Sequence, residues 1–457
     1  MSLTAALEYA RKNSARFENE YKDLLRIPSV STLPAHKPDM QKTAEWIASQ
    51  FKSFGFSAEI CPTGGHPAVV AEHLKAGPNA PTVLVYGHYD VQPAEPLDLW
   101  VSPAFEPTQR GENLYARGAS DMKGQLAAFL KGLESYTKNL ALPVNFKCLI
   151  EGEEEIGSKH LAPFIKANKE RLKADYCLNL DAGILAPDRP GITYALRGLC
   201  YFELRLTGPS TDLHSGMYGG AVMNPGNALS KLIAGMHDAD GRVMIPGFYD
   251  DVCELTFEER EEMATLPTDE KWWEKTTGVP VLFGEKGFSS NERATARPTL
   301  DVNGMLCGFT GEGSKTVLPS KAMAKFSTRL VADQDPKKIE AGVREYLEAH
   351  VPASIKWELL MFSSGRPSML SLNAPYVKAA TQALEAEWGV KTAFMRQGGS
   401  IPVVGLMQDI LEIDSLLLGF GLPDDNLHAP NEKQHLPTWH KGVLTYVRFL
   451  DLIGAKK

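Results

Sequence analysis

Residues 81–93 read PTVLVYGHYDVQP, an apolar run that ends with a histidine and an aspartate. Its β-branched and aromatic residues predict a buried strand with His88 and Asp90 at its carboxyl end. Because successive strand residues alternate between faces, we expect both side chains to point the same way, with Asp90 accepting the second imidazole N–H of His88. That contact orients a metal-binding histidine, although a loop histidine beside a turn aspartate would show the same spacing.

Short strand-like runs alternate with helical patterns around this stretch, from residue 1 to about residue 190. Helical periodicity covers 4–26, 40–54 and 121–136, the last with Asp121 in the cap region, where a carboxylate suits exposed amides. The other strand-like runs are AVVAEHL at 68–74, VNFKCLI at 144–150 and YCLNL at 176–180. The alternation predicts an α/β fold.

The chain of 457 residues exceeds what one hydrophobic core usually organises, so two domains are expected. New strand and helix patterns begin near GITYALRGLCYFELRLTG and continue to about residue 368, and helices of the earlier style resume after residue 370. We therefore predict one domain from residues 1–192 and 369–457, interrupted by an α+β domain of residues 193–368. Residues 257–278, charged and aromatic, predict a helix plus a loop at the surface.

The charge balance excludes several classes of partner. The chain has 48 Lys and Arg against 56 Asp and Glu and no Lys/Arg-rich run, so neither nucleic acid nor an anionic membrane surface is an expected partner. No uncharged apolar stretch approaches the roughly 20 residues of a membrane span, and the charged N-terminus lacks a signal peptide's apolar core. Six scattered cysteines without a CxxC pair fit reduced thiols and predict a cytoplasmic protein.

A second polar cluster follows the strand-like run at 144–150. Residues 151–158 read EGEEEIGS, with four carboxylates among five residues. Clustered carboxylates repel each other, and removing them from water is costly unless cations or shared protons compensate. A solvated acidic loop is the alternative, but the preceding buried strand favours a metal site.

Further candidate ligands stand at element boundaries. Asp121 lies in ARGASDMKG, Asp181 in CLNLDAG and His428 in DDNLHAPNEKQH. Together with His88 and the acidic cluster they form a set of histidines and carboxylates without a thiolate, which is typical of Zn²⁺, Mn²⁺ or Co²⁺ in a hydrolytic site. Two other histidines, His435 and His440, lie close to His428 in the sequence.

Nine motifs, in order along nearly the whole chain, resemble the co-catalytic zinc dipeptidases of the carnosinase and cytosolic non-specific dipeptidase type. These enzymes belong to the broader aminoacylase, desuccinylase and glutamate carboxypeptidase family. The motifs are GHYDVQP, RGASDMKG, EGEEEIGS, LNLDAG, DLHSGMYGG, KTVLPSK, FSTRLV, RQGGSIP and HAPNEK. The resemblance implies a discontinuous mixed-sheet α/β metallohydrolase domain with an inserted α+β lid and dimerisation domain, and a homodimer.

The resemblance also implies two divalent metal ions, Zn²⁺ with Mn²⁺ or Co²⁺ as alternatives. The ligands of one ion would be His88, Asp121 and Asp181, and those of the other Asp121, Glu155 and His428. Asp121 would then bridge the two ions, which share a water and lower its pKa. Glu154 corresponds to the general base that takes the proton of this water, and Asp90 to the residue that orients His88.

The resemblance gives roles to four further residues. His214 would reach the active site of a neighbouring subunit and stabilise an oxyanion. Arg329 would pair with the free carboxylate of the substrate, with Thr316 and Ser400 as further contacts. Without the resemblance, His214 is equally compatible with a loop histidine and Arg329 with a surface ion pair.

The implied activity is hydrolysis of dipeptides with a free C-terminal carboxylate. An N-acyl amino acid deacylase of the desuccinylase or deacetylase type is the alternative, because such an enzyme also binds a carboxylate. A non-catalytic binding module is a third reading, disfavoured because all five ligands and Glu154 are present. The match over the whole chain favours the dipeptidase.

Overall fold

The computed structural model describes residues 2–454. Its α-helices, in chain order, are α1 Leu3–Lys12, α2 Ser14–Leu25, α3 Lys37–Ser53, α4 Lys123–Thr137, α5 Leu161–Ala167, α6 Lys169–Leu172, α7 Ser215–Tyr218, α8 Pro225–Gly235, α9 Phe257–Ala264, α10 Glu270–Thr277, α11 Ser290–Thr295, α12 Pro336–His350, α13 Pro375–Trp388, α14 Pro402–Leu406 and α15 Leu436–Leu452. Within the described part of the chain, no helix has the length and apolar character needed to cross a membrane.

Within residues 2–454, the strands form five sheets. In chain order they are β1 Ser57–Cys61, β2 Ala68–His73, β3 Thr82–His88, β4 Thr108–Arg110, β5 Asn113–Tyr115, β6 Asn145–Glu151, β7 Tyr176–Asn179, β8 Gly191–Leu196, β9 Gly198–Thr207, β10 Leu213–His214, β11 Thr299–Cys307, β12 Val317–Leu318, β13 Lys321–Leu330, β14 Lys356–Gly365, β15 Ser368–Met369, β16 Ala393–Gln397, β17 Ser415–Leu417 and β18 Lys433–His435.

The chain divides into two compact units. The first consists of Met1–Tyr194, Leu370–Met395 and Leu406–Lys457, and the second of Ala195–Met369 and Arg396–Gly405. The predicted division placed 369–457 wholly in the first domain, whereas Arg396–Gly405 packs with the second unit. The roles of lid and dimerisation domain stay predictions.

The first unit is built on a mixed six-stranded sheet, with strand order β1-β2-β6-β3-β7-β17. The β3 strand pairs in parallel with β6 and β7, and β17 pairs in parallel with β7, whereas β1 and β2 are antiparallel to their neighbours. This arrangement confirms the predicted mixed α/β fold. The carboxyl ends of the parallel strands meet at one edge, which is where ligands commonly bind in such sheets.

Helices α4 and α15 pack closely within this unit, and a glycine permits their approach. A Cβ on Gly132 of α4 would lie 2.6 Å from the Cβ of Tyr446 in α15, so any larger residue would push the helices apart. Phe129 meets the Tyr446 ring edge to face, and Tyr21 stacks on Trp439. The N-terminal and C-terminal segments thereby share one aromatic core.

The second unit is built on an antiparallel four-stranded sheet, with strand order β11-β13-β9-β14. Alternate residues of β13 are buried, so Ala324, Phe326 and Thr328 face the core, while Ser327 and Arg329 lie on the partly exposed face. Phe326 stacks on Phe202 of β9 within a core of apolar residues from the sheet and from α8 and α12.

Three local predictions differ from the structure. The helix predicted over 4–26 is broken at Asn13, whose side-chain amide donates to the Tyr9 carbonyl at 2.8 Å and competes with the helix ladder. The N-cap of α4 is Met122, not Asp121, and the Asp121 carboxylate faces His428 instead. Residues 257–278 form two helices, α9 and α10, capped by the side chains of Thr256 and Asp269.

Candidate active site

Three strands of the first unit deliver polar residues to one edge of the sheet. The β3 strand ends at His88, which is in register with Glu151 at the end of β6. A single turn of 3₁₀ helix, Glu154–Ile156, follows β6, and Asp181 lies just beyond the end of β7. Because these strands are parallel, their polar ends come together at one edge of the sheet.

Two ligand groups share Asp121. His88, Asp121 and Asp181 form one group and Asp121, Glu155 and His428 the other, with ligand atoms within 4.8 Å of one another in each. The His88 Nε2 atom lies 3.3 Å from Asp121 Oδ1, and the His428 Nε2 atom lies 2.9 Å from Asp121 Oδ2. His428 Nε2 is also 3.1 Å from Glu155 Oε2. Each oxygen of Asp121 therefore serves a different group.

Asp90 connects His88 to the glutamate turn. Its buried carboxylate lies 3.3 Å from His88 Nδ1 and accepts the backbone N–H groups of Glu154 at 3.2 Å and Glu155 at 3.0 Å. The backbone carbonyl of Asp90 also lies 3.2 Å from His88 Nδ1, so Asp90 orients the imidazole through both groups. Its carboxylate in addition fixes the backbone of the two glutamates predicted as base and ligand.

The charges in this cluster shift its pKa values far from their usual range. Burial, followed by the negative charge of Asp121, raises the pKa of Asp181 to about 7. Hydrogen bonds to the carboxylates of Asp121 and Glu155 raise the pKa of His428 to about 10. The excess of carboxylates therefore holds protons on groups that would be deprotonated as metal ligands, and cations would replace those protons.

The buried His88 ring also fits a metal ion. Among residues 2–454, its Nε2 atom has no hydrogen-bond partner, although Asp121 Oδ1 is 3.3 Å away. A buried polar atom without a partner costs free energy, and a cation between the imidazole and the carboxylates would satisfy it. The donors are imidazole nitrogens and carboxylate oxygens, the ligand types that Zn²⁺, Mn²⁺ and Co²⁺ accept.

Glu432 supports the candidate site and was not predicted from the sequence. Its buried carboxylate accepts the backbone N–H groups of Gly118 at 2.9 Å, Ser120 at 2.9 Å and Asp121 at 3.0 Å, and pairs with Arg117 at 2.8 Å. It thereby ties the loop that carries Asp121 to the loop that carries His428. The only sequence signal was its position four residues after His428 in the HAPNEK motif.

The His428 loop has an unusual backbone. Asn426, His428 and Asn431 all adopt left-handed conformations, with φ of 54°, 60° and 61°. Such conformations are costly for residues other than glycine and persist only where the surroundings fix them. The bonds of neighbouring Glu432 supply part of that restraint.

The remaining glutamates of the 151–158 run support the loop. Glu151 accepts the Tyr86 hydroxyl at 2.6 Å, and Glu153 accepts the His66 backbone N–H at 3.0 Å. The His160 Nδ1 atom lies 2.8 Å from Glu153 as well. A Cβ on Gly65 would lie 1.7 Å from the Glu153 carboxylate, which explains the glycine at this position.

The second unit holds its four predicted residues as two pairs. The Arg329 Nη1 atom donates to the Ser400 hydroxyl at 3.2 Å, and this hydroxyl also donates to the Arg197 carbonyl. His214 lies on β10, opposite Val317 of β12 and beside Thr316, whose carbonyl accepts the Ser215 N–H at 3.2 Å. His214 is exposed, and its Nδ1 accepts the Gly216 N–H at 3.1 Å.

The chain is similar to known proteins over almost its whole length. Residues 84–452 match the model of peptidase family M20/M25/M40. The Cys-Gly metallodipeptidase dug1 of Schizosaccharomyces pombe is 31% identical, over 100% of this chain and 99% of its own. The Beta-Ala-His dipeptidase of Homo sapiens is 30% identical, over 98% of this chain and 92% of its own.

A solved structure shows the same fold. The M20 family metallo-carboxypeptidase Sso-CP2 from Sulfolobus solfataricus is 36% identical and aligns with a TM-score of 0.78, covering 96% of this chain and 99% of its own. These matches confirm the resemblance drawn from the nine motifs and the predicted class of metallopeptidase. The chain belongs to peptidase family M20/M25/M40.

Proposed function

We propose that the chain is a dipeptidase that uses two divalent metal ions, Zn²⁺ with Mn²⁺ or Co²⁺ as alternatives, to hydrolyse dipeptides with a free C-terminal carboxylate. The observation that carries the proposal is Asp121, whose two oxygens face two different histidines at 3.3 and 2.9 Å. Two-metal hydrolases share a ligand between their ions in this way. Relatives named as a metallodipeptidase and a dipeptidase support the substrate class.

Glu154 is the proposed general base. Two bound cations would supply Lewis acidity for activating water and polarising the scissile carbonyl. Glu154 would take a proton from the attacking water and deliver it to the departing amine. Asp90 holds the Glu154 backbone, and among residues 2–454 the Glu154 carboxylate has no hydrogen-bond partner, so it is free to exchange protons.

Recognition of the substrate carboxylate is assigned to the second unit. Arg329 presents a guanidinium beside the Ser400 hydroxyl, and a guanidinium matches a carboxylate with two parallel hydrogen bonds. Thr316 is the proposed third contact, and His214 the group that stabilises the oxyanion of the tetrahedral intermediate. A free carboxylate distinguishes a dipeptide from an internal segment of a longer chain.

Hydrolysis of a substrate panel tests the proposal. Protein stripped with a chelator and reloaded with Zn²⁺ or Mn²⁺ is offered several L,L-dipeptides, β-alanyl-histidine, a tripeptide, and N-acetyl and N-succinyl amino acids. We expect metal-dependent cleavage of dipeptides and no cleavage of the N-acyl compounds. Preference for an N-acyl amino acid would instead establish the deacylase, and absence of all cleavage by metal-loaded protein would contradict the proposed activity.

We further propose that the enzyme is a homodimer whose second unit forms the interface. Exposed apolar side chains, which often mark interaction surfaces, occur in that unit, with Met217 74%, Leu306 54% and Phe309 46% exposed. Analytical ultracentrifugation tests the assembly. Mixing a His214→Ala variant with a Glu154→Gln variant tests a shared site, because activity should reappear only when each subunit supplies what the other lacks.

A cytoplasmic location is proposed on the chemistry of the cysteines. All six are free thiols, and four of them, Cys61, Cys148, Cys177 and Cys200, are buried. Proteins in oxidising compartments more often use cysteines as disulfides. Fractionation of cells that express the tagged protein would test this location.

A further inference from the structure

Arg197 joins β8 to β9 and has an unused donor. Its Nε atom donates to the Gly398 carbonyl at 2.9 Å, and its backbone carbonyl accepts the Ser400 hydroxyl. Its Nη1 atom is fully buried and has no hydrogen-bond partner in the described part of the chain. Buried guanidinium nitrogens normally have a hydrogen-bond partner, so a bound ligand would supply the acceptor that this atom lacks.

A second guanidinium lies beside Arg197. Arg329 binds the same serine through its side chain, so Ser400 contacts both arginines. Burial, followed by the positive charge of Arg329, lowers the pKa of Arg197 to about 10. Two like charges in a partly desolvated place repel each other unless an anion lies between them.

The described residues supply no close counterion for Arg197. Asp301 is the carboxylate whose charge acts on Arg197, but no ion pair between them falls within 4.0 Å among residues 2–454. Asp301 is exposed and accepts the Thr299 hydroxyl at 3.2 Å. The positive charge of this arginine pair is therefore left for an external anion.

The loop that carries Ser400 fits closely against Arg197. A Cβ on Gly398 would lie 2.4 Å from the Ala294 carbonyl and 3.1 Å from Arg197 Nη2. A glycine is therefore required for the loop to approach the guanidinium. The side chain of Arg197 fixes the loop through the Gly398 carbonyl, and its free nitrogen remains available.

We propose that Arg197 is the second guanidinium of the carboxylate subsite and, with Arg329, binds the C-terminal carboxylate of the dipeptide. This inference rests on the proposed function and extends it, because two guanidiniums make the subsite strongly selective for a free carboxylate. A substrate whose carboxylate is replaced by a neutral amide would leave both arginines without an anion.

The test compares an L,L-dipeptide with the same dipeptide carrying a C-terminal amide, for the metal-loaded enzyme and an Arg197→Gln variant. We expect the substitution to lower kcat/KM for the dipeptide by roughly 10- to 100-fold, mainly through KM, because a charge-assisted hydrogen bond is lost. For the amide we expect a change below about threefold, since that substrate lacks the group Arg197 binds.

Arg293→Gln is the matched control. Arg293 lines the same cavity of about 300 Å³ as Arg197, but its guanidinium donates to the backbone carbonyl of Glu285. This substitution should leave the ratio between the two substrates unchanged. If Arg197→Gln fails to fold, as judged by thermal unfolding, Arg197→Lys replaces it, and the same ratio decides.

The outcomes separate this inference from the proposed function. An equal loss on dipeptide and amide would assign Arg197 a structural role and overturn the inference alone. So would a variant that discriminates between the two substrates as well as the wild type does. Equal cleavage of both substrates by the wild type would contradict the proposed recognition of a free carboxylate. It would therefore also contradict the role proposed for Arg197.

Discussion

The candidate site residues of the two units differ in whether their polar atoms have partners within the protein. In the first unit, the Asp90 carboxylate contacts His88 and two backbone N–H groups, and Glu432 accepts three backbone N–H groups and an arginine. In the second unit, the buried Nη1 atom of Arg197 has no hydrogen-bond partner among residues 2–454. The first pattern fixes the groups of the proposed chemistry, whereas the second leaves one donor for the proposed ligand.

Asp121→Asn has the largest expected effect and tests whether the fixed groups of the first unit hold the proposed metal ions. The amide keeps the shape but loses the negative charge that both ligand groups share. We expect both metal ions to be lost and dipeptide hydrolysis to fall by more than about 10³-fold, because metal ions supply several kcal/mol of transition-state stabilisation. Metal content by atomic emission and initial rates check this. Asp181→Asn, which touches one group, should cost one ion, and full metal loading of Asp121→Asn would contradict the shared role.

Glu154→Gln separates chemistry from metal binding. Glu154 belongs to neither ligand group, so both ions should remain bound, while kcat falls by about 10²- to 10⁴-fold with the loss of the base. Paired measurement of metal content and kcat on one preparation checks this. Loss of metal in parallel with activity would make Glu154 a ligand and not a base.

Glu432→Gln tests whether the hydrogen bonds behind the ligands matter. An amide cannot accept all four donors, so the loops of Asp121 and His428 should loosen and metal affinity should fall by roughly 10- to 100-fold. Competition with a fluorescent chelator measures this affinity. Glu134→Gln is the control, since Glu134 is also buried but pairs with Arg16 and Lys131. An equal effect of both substitutions would indicate general destabilisation.

Arg329→Lys gives the smallest expected effect and tests the proposed carboxylate subsite of the second unit. A lysine keeps the charge but loses the planar fork, so KM for dipeptides should rise by about tenfold while kcat changes little. Steady-state kinetics check this. Arg205→Lys, at an exposed strand arginine paired with Glu203 and Glu358, should change neither constant. A fall in kcat without a change in KM would contradict a binding role for Arg329.

The sequence predicted the strand ends well because their signals are local. An apolar run followed by polar residues marks both β3, which ends at His88, and β6, which ends at Glu151. Parallel pairing then brings these ends to one edge without any information from distant residues. The ligand groups themselves came from the resemblance, which adds the distant histidine His428 that periodicity alone does not connect to the others.

The supporting contacts could not be predicted because they join residues far apart in the chain. Glu432 and Gly118 are 314 positions apart. The local sequence does not distinguish a buried glutamate from a solvent-exposed one. The same holds for Arg197, whose loop partner Gly398 is 201 positions away. The segment Arg396–Gly405 was placed with the wrong neighbours for the same reason, because tertiary packing and not local pattern decides its unit.

The first unit is made of segments that are separated in the chain, so its last part is translated only after the second unit. Translation delivers His88, Asp121, Glu155 and Asp181 early, then the second unit up to Met369, and only afterwards β17, His428 and α15. Until that point β7 lacks its β17 neighbour, and Asp121 and Glu155 lack their histidine. The proposed metal centre would therefore be completed late in synthesis, because a nascent chain interrupted before His428 contains only one of the two candidate ligand groups.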